Sequence, residues 1–261
     1  MKRLPLTFNC GGTQLAGTLD TAPGTSGLLL VTGGNEIRAG AFGGQAQLAA
    51  EIARAGFPVF RFDRRGTGDS DGENRGFRHA RKDIAAALAA FRAMAPQVER
   101  VVAFGNCDAA ATLMLMGGEG FDALVLSNPW TIDEDAQDDA TPPASAIRAR
   151  YIEKLRNPRE VARLLGGKVN FRKLLKGIAK AAAPKKKAPG SLGEEVAQGL
   201  AAFSGPARIL LAEKDRTAQV FLEHWDAQDP RLQRCSDAGH SYAERHAREW
   251  LRKQILTALR G

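Results

Sequence analysis

Arg100-Val101-Val102-Ala103-Phe104-Gly105-Asn106-Cys107-Asp108-Ala109-Ala110-Ala111 is the stretch on which the reading of this chain turns. Its short apolar run, Val101 to Phe104, predicts a buried strand, and Ala109 to Met116 predicts a helix with a small-residue face. Between them, Gly105-Asn106-Cys107-Asp108-Ala109 is close to the Gly-x-Ser-x-Gly elbow, with cysteine in the serine position and alanine for the second glycine. Such an elbow holds its central residue in a strained conformation on a tight strand-to-helix turn, where only small neighbours fit. A structural free cysteine after a core strand gives the same pattern, so this pentapeptide alone does not decide between the two.

The surroundings extend the pattern. Leu4 to Asn9 and Gln14 to Asp20 read as two strands joined at Gly11-Gly12, and Leu28 to Val31 as an apolar strand ending in Thr32-Gly33-Gly34-Asn35-Glu36. A helix is expected over Gln45 to Ala55, a strand over Pro58 to Phe62, a long helix over Arg78 to Met94, and a strand over Ala123 to Leu126. From Thr131 to Ala202 no strand pattern occurs; helical stretches are expected near Ile147 to Arg156, Pro158 to Leu165, Phe171 to Ala182 and Glu194 to Phe203. Alternation resumes with a strand at Arg208 to Ala212, a short helix around Val220 to Trp225, a weak strand at Leu232 to Ser236 and a closing helix over Tyr242 to Leu259. Strands alternating with helices imply a mainly parallel, doubly wound sheet covered on both faces. Two leading antiparallel strands, an elbow after the fifth strand and an insertion after the sixth suggest the α/β-hydrolase arrangement of about eight strands. The expected division is a core over residues 1–130, a helical basic cap over 131–202 and the rest of the core over 203–261.

Several classes are excluded or disfavoured by composition. At 261 residues and 44% hydrophobic content the chain is globular and can bury a sizeable core. Cys10, Cys107 and Cys235 are odd in number and lack Cys-x-x-Cys spacing, so neither a disulfide framework nor a metal site is expected, and reduced thiols in the cytoplasm are. Met1-Lys2-Arg3-Leu4-Pro5 has no apolar segment behind its charges to make a signal peptide, and no apolar run is long enough to cross a bilayer. The net charge of +8 is local: between Arg148 and Lys187 there are 14 Lys or Arg against Glu153 and Glu160, so the rest of the chain is net acidic. That distribution argues against a nucleic-acid-binding body. It leaves open a lid that receives an anionic substrate, lies on an anionic membrane surface or docks a partner, or a solvated outer face.

The chemistry requires a base for the thiol and an orienting group for the base, in the chain order nucleophile, acid, histidine. Cys107, Asp215 and His240 satisfy that order: Asp215 follows a strand end, and His240 sits on a glycine-flanked loop. Asp215 also reads as a helix N-cap, and Asp237 is a rival acid with poor reach. Oxyanion donors are expected from the backbone N–H of Asp108 and from the loop after the third strand, with the N–H of Asn35 first and that of Gly34 next. Glu36 and Arg38 beside that loop are candidates for touching substrate or tuning ionisation of the thiol, or are solvated loop charges. Asp63-Arg64-Arg65-Gly66-Thr67-Gly68-Asp69-Ser70 is expected to shape the rim structurally. Gly33-Gly34 lacks a dinucleotide or P-loop pattern, so no nucleotide or other cofactor is expected.

With these residues placed, the chain resembles the α/β-hydrolases, and more narrowly the exosortase A system-associated hydrolase 1 family. The resemblance is carried by Gly33-Gly34-Asn35-Glu36-Ile37-Arg38, Phe60-Arg61-Phe62-Asp63-Arg64-Arg65-Gly66, Gly105-Asn106-Cys107-Asp108-Ala109 and Asn128-Pro129-Trp130-Thr131. It implies a setting beside bacterial exopolysaccharide export and exosortase systems more firmly than it implies a substrate. The cysteine elbow is also similar to those of dienelactone hydrolases and of polyester synthases, over that segment alone. The expected activity is hydrolysis of an ester or thioester of a small acyl substrate through Cys107, His240 and Asp215. Acyl transfer from the same intermediate, or a non-catalytic scaffold that binds an anionic partner through the basic lid, are the alternatives. Oligomeric state is not legible.

Overall fold

The computed structural model describes residues 1–133 and 190–261. The helical stretches expected between 147 and 182, and the basic run with them, lie outside the described residues. Eight strands form one sheet: β1 Arg3–Cys10, β2 Thr13–Asp20, β3 Ser26–Val31, β4 Val59–Phe62, β5 Arg100–Asn106, β6 Ala123–Ser127, β7 Ala207–Ala212 and β8 Leu232–Cys235. Their order is β1-β2-β4-β3-β5-β6-β7-β8, with β2 antiparallel to both neighbours and every later pairing parallel. This is the doubly wound α/β-hydrolase arrangement anticipated from the alternation.

Six α-helices are described: α1 Gly44–Arg54, α2 Arg81–Met94, α3 Asp108–Leu115, α4 Leu192–Ala201, α5 Arg216–His224 and α6 Arg245–Arg260. Side chains alternate across each strand, so neighbouring residues feed opposite cores. Leu28, Leu30, Val102 and Phe104 pack with Leu48 and Ile52 of α1 and Leu251 and Ile255 of α6. Leu29, Val101, Leu124 and Leu126 pack with Phe91 of α2, Leu113 of α3, Val196 and Leu200 of α4 and Phe221 of α5. Burial on both faces explains why the central strands are uninterrupted apolar runs. α4, from the end of the segment expected to form the cap, packs directly on α3.

Three helix starts differ from expectation by three residues or more. α5 begins at Arg216, because Asp215 caps it, and α2 begins at Arg81 after a separate 3-10 turn at Phe77–His79. The closing helix begins at Arg245 instead of Tyr242. Tyr242 has φ 51° and is buried, with its hydroxyl 2.9 Å from Ser127 Oγ, so the chain before α6 is committed to a loop against β6.

Candidate active site

Cys107 occupies the turn between β5 and α3 with φ 62° and ψ −126°, a conformation that costs about 1–3 kcal/mol for a residue with a side chain. The surrounding structure imposes it. Cys107 N–H donates to Ser127 O at 3.0 Å, while its carbonyl accepts from Ala111 N–H and Trp130 N–H, each at 3.2 Å. Gly105 is required here: a Cβ on it would lie 2.7 Å from the Ala109 carbonyl carbon and 2.8 Å from Ala110 N. Ala109 is itself fully buried in the core under α3, so the helix approaches the strand closely with alanine in place of the second glycine.

Asp215 and His240 arrive from the ends of β7 and β8. The Asp215 carboxylate accepts from Thr217 N–H at 3.2 Å and Ala218 N–H at 3.4 Å, capping α5, and its Oδ2 lies 2.9 Å from His240 Nδ1. The helix cap and the partner of the imidazole are therefore one carboxylate, and the cap fixes its orientation. Asp215 is nearly buried, while the His240 side chain is 43% exposed. Hydrogen bonding to Asp215 first, and to Cys107 second, pushes the His240 pKa up to about 10, against the opposing effect of burial. With Nδ1 turned to Asp215, Nε2 is the ring nitrogen left for Cys107. Asp237 is paired at the surface with Lys214 at 3.0 Å and does not reach the ring.

A buried amide belt, not anticipated from the sequence, holds the histidine loop. Asn128 is fully buried with φ 42°. It accepts from Ala212 N–H at 2.8 Å and donates to Asn106 Oδ1 at 3.0 Å and His240 O at 3.4 Å. Asn106 donates to the same His240 carbonyl at 3.2 Å. The available signal was asparagine immediately after a strand, a residue that tolerates positive φ and bonds backbone.

The loop after β3 forms a turn in which Glu36 N–H donates to Gly33 O at 3.2 Å. Gly33 abuts the elbow: a Cβ there would lie 2.5 Å from Asn106 O and 2.9 Å from Asp108 Oδ1. Gly34 N–H donates to Asp108 Oδ1 at 2.8 Å, so the amide expected as the loop's second choice for the oxyanion is already bonded. Among the described residues no protein group accepts from the amides of Asn35 or Asp108. The latter is one of the free donors at the start of α3. The Asn35 side chain accepts from Asn74 Nδ2 at 2.7 Å. Arg64 donates to Gly34 O and lies 3.5 Å from Asp108 Oδ2.

Glu36 and Arg38 are not brought to Cys107. Glu36 is exposed and accepts from Gln45 at 3.4 Å. The Arg38 guanidinium is held by Asp63, by Asp69 at 2.9 Å and by Thr18 at 3.1 Å, and its carbonyl accepts from Arg61 at 2.7 Å. It braces the base of the loop against the Asp63–Ser70 turn. Arg65 in that turn pairs with buried Asp83 at 2.6 Å, a structural tie to α2. Among the described residues no cluster of three or more His, Cys, Asp or Glu is arranged to hold a metal ion. No helix among them is long and apolar enough to cross a membrane.

A family model described as the alpha/beta hydrolase family matches residues 28–253. No curated protein matches the chain by sequence. The fold is similar to that of the alpha/beta hydrolase GrgF from Penicillium sp. sh18 (17% identity, TM-score 0.65, covering 100% of this chain and 98% of that one). It is also similar to the Pyrococcus furiosus esterase Pf2001 (14% identity, TM-score 0.61, covering 99% and 91%). A thioesterase domain from the curacin biosynthetic pathway is similar at 14% identity and TM-score 0.57, covering 98% and 100%.

Proposed function

Because the chain belongs to the alpha/beta hydrolase family, we propose that it is a cysteine-dependent acyl hydrolase acting on an ester or thioester of a small molecule. The observation that carries this reading is the meeting of three groups. Cys107 is held at a strained elbow, and Asp215 grips Nδ1 of His240 at 2.9 Å, leaving the other ring nitrogen for the sulfur. The esterase and the thioesterase domain that share the fold fit this reaction class, which rests here on the site itself.

In the proposed cycle the Cys107 thiolate attacks the acyl carbon and the carbonyl becomes an oxyanion. The bond to the leaving alcohol or thiol then breaks, with the proton supplied by the His240 imidazolium. His240 next takes a proton from water, which attacks the thioester and releases the acid and the thiolate. Asp215 holds the ring and stabilises its charged form throughout. The amides of Asp108 and Asn35 are assigned to the oxyanion. A thioester also reacts readily with amines and thiols, so transfer to a second acceptor differs only in what replaces water.

The wider setting rests on sequence resemblance. We assign the protein to the cytoplasm and to bacterial exopolysaccharide and exosortase systems, with an anionic acyl substrate attracted by the charge of the basic stretch. Purified protein offered nitrophenyl esters and acyl-thioesters is expected to turn them over and to carry a thioester on Cys107 detectable by mass spectrometry. Cys107→Ala abolishes both. Wild-type protein that forms no adduct and shows no turnover with any activated acyl donor leaves the chain a non-catalytic scaffold.

A further inference from the structure

We propose that Asp108 and Arg64 act as positioning residues. Their side chains clamp Gly34 from both sides and so fix the turn that presents Asn35 N–H to the oxyanion. This deepens the reading of Cys107 as an acyl acceptor and rests on it. The elbow residue that follows the nucleophile is expected to contribute its backbone N–H. Here its carboxylate has a separate job, accepting from Gly34 N–H at 2.8 Å. The Gly34 carbonyl, on the other side of the same residue, accepts from the Arg64 guanidinium, which also faces Asp108 Oδ2 at 3.5 Å. Asp108, Gly34 and Arg64 thus close a ring between β3, β4 and α3.

Three features make this more than a surface contact. Arg64 is only 5% exposed, and among the described residues its Nη1 has no hydrogen-bond partner, so the compensation seen for burying this cation comes from the turn and from Asp108. Gly33 leaves no room for a Cβ against Asp108 and Asn106, so the turn is pressed onto the elbow at van der Waals distance. Asn74 holds the Asn35 side chain at 2.7 Å, steadying the far end of the same turn. A carboxylate one residue from a thiolate would also oppose the negative charge of the reaction. Commitment to Gly34 N–H and Arg64 offsets that charge while using it for alignment. The sequence expectation that Gly34 could donate to the oxyanion is replaced by a division of labour: Gly34 is held, and Asn35 donates.

The test separates reactions that need an oxyanion hole from those that do not. Acylation of Cys107 by an ester builds an oxyanion, whereas alkylation by iodoacetamide needs only the thiolate. In Asp108→Ala, acylation is expected to fall about 10–100-fold, less than the roughly 100–1,000-fold cost of removing an oxyanion donor outright, because the donor is misplaced and not lost. Alkylation should stay within about twofold or become faster, because a nearby negative charge is removed. Asp108→Asn keeps an acceptor for Gly34 N–H and should recover most of the acylation rate. Arg64→Lys keeps the charge, but its shorter side chain stops short of the Nη2 position that serves both Gly34 O and Asp108 Oδ2, so it should reproduce the split between acylation and alkylation. Hydrogen exchange in the peptide spanning residues 33–36 is read on the same proteins. It should accelerate at least about tenfold in Asp108→Ala, because Gly34 N–H loses its acceptor. Parallel loss of acylation and alkylation, or unchanged acylation, overturns the proposal, as does unchanged exchange in a folded variant. If wild-type Cys107 is never acylated, the enzymatic reading fails on its own, and exchange alone decides whether the clamp holds the turn.

Discussion

Cys107 carries a thiol in a position shaped for serine, and the consequences are measurable one residue at a time. Cys107→Ser preserves the size of the elbow residue but substitutes a far less acidic nucleophile. Turnover of a nitrophenyl ester is expected to fall at least ~10-fold with an unchanged melting curve; equal turnover would show a site not built around a thiolate. Iodoacetamide at neutral pH should modify Cys107 before Cys10 or Cys235, because those two are buried and burial pushes both their thiols up. Peptide mapping after partial labelling reads this directly. His240 supplies a pH signature. With its pKa pushed up to about 10, chiefly by Asp215 and then by Cys107, it is protonated through neutral pH and able to protonate a leaving group. kcat/KM for an alkyl ester should therefore decline as pH rises through about 10. A nitrophenyl ester, whose leaving group needs no proton, should show a weaker decline. The sign for stability agrees. A raised folded-state pKa contributes stability that is complete below the ordinary value of 6.5 and is lost as pH climbs through about 10, so wild type should lose more Tm across that window than His240→Gln. The partly exposed ring keeps this effect modest.

At the scale of elements, the site is a junction of strand ends held by backbone and amide hydrogen bonds. Asn128 bonds the residue that follows β6 to the end of β5, to Ala212 in β7 and to the His240 carbonyl. Asn128→Ala removes those bonds, leaves Ala212 N–H unsatisfied and puts alanine at φ 42°. A loss of about 2–4 kcal/mol is expected by urea denaturation from the unsatisfied buried groups and the backbone conformation together. Activity per folded molecule should fall as well, because the His240 carbonyl loses one of its two amide donors and keeps only Asn106. A Tm within a degree of wild type would mean that the belt contributes little. Asp215 illustrates economy at this scale, since one carboxylate both caps α5 and orients the imidazole. Its immobilisation as a cap is what makes its geometry toward His240 reproducible.

Across the whole molecule, charge is divided between a net acidic remainder and the basic stretch from Arg148 to Lys187. That stretch lies outside the described residues. Replacing Lys173, Lys176 and Lys180 together by glutamine should raise KM for an anionic ester more than for a neutral ester of equal chain length. The difference should shrink with added salt, because exposed charges are screened over about 8 Å at physiological ionic strength. Equal effects on the two esters, without salt dependence, would make the stretch a solvated face.

The sequence by itself determined the architecture, because a buried parallel strand must be apolar on both faces and a crossover helix must be amphipathic. Those requirements are written locally in Leu28 to Val31, in Val101 to Phe104 and in the helices between strands. The chain order of Cys107, Asp215 and His240 was legible for a similar reason: each follows, or lies near, the end of a recognisable strand. Side-chain direction and pairing across loops were not legible. Arg38 could have faced the thiol and instead turns to Asp63 and Asp69, while Arg64, within a turn expected only to shape the rim, reaches Gly34 and Asp108. Both outcomes depend on where β3, β4 and α3 end relative to one another. That relation is set by strand register and sheet order, by contacts between residues 25–44 positions apart in the chain, and no local pattern records it.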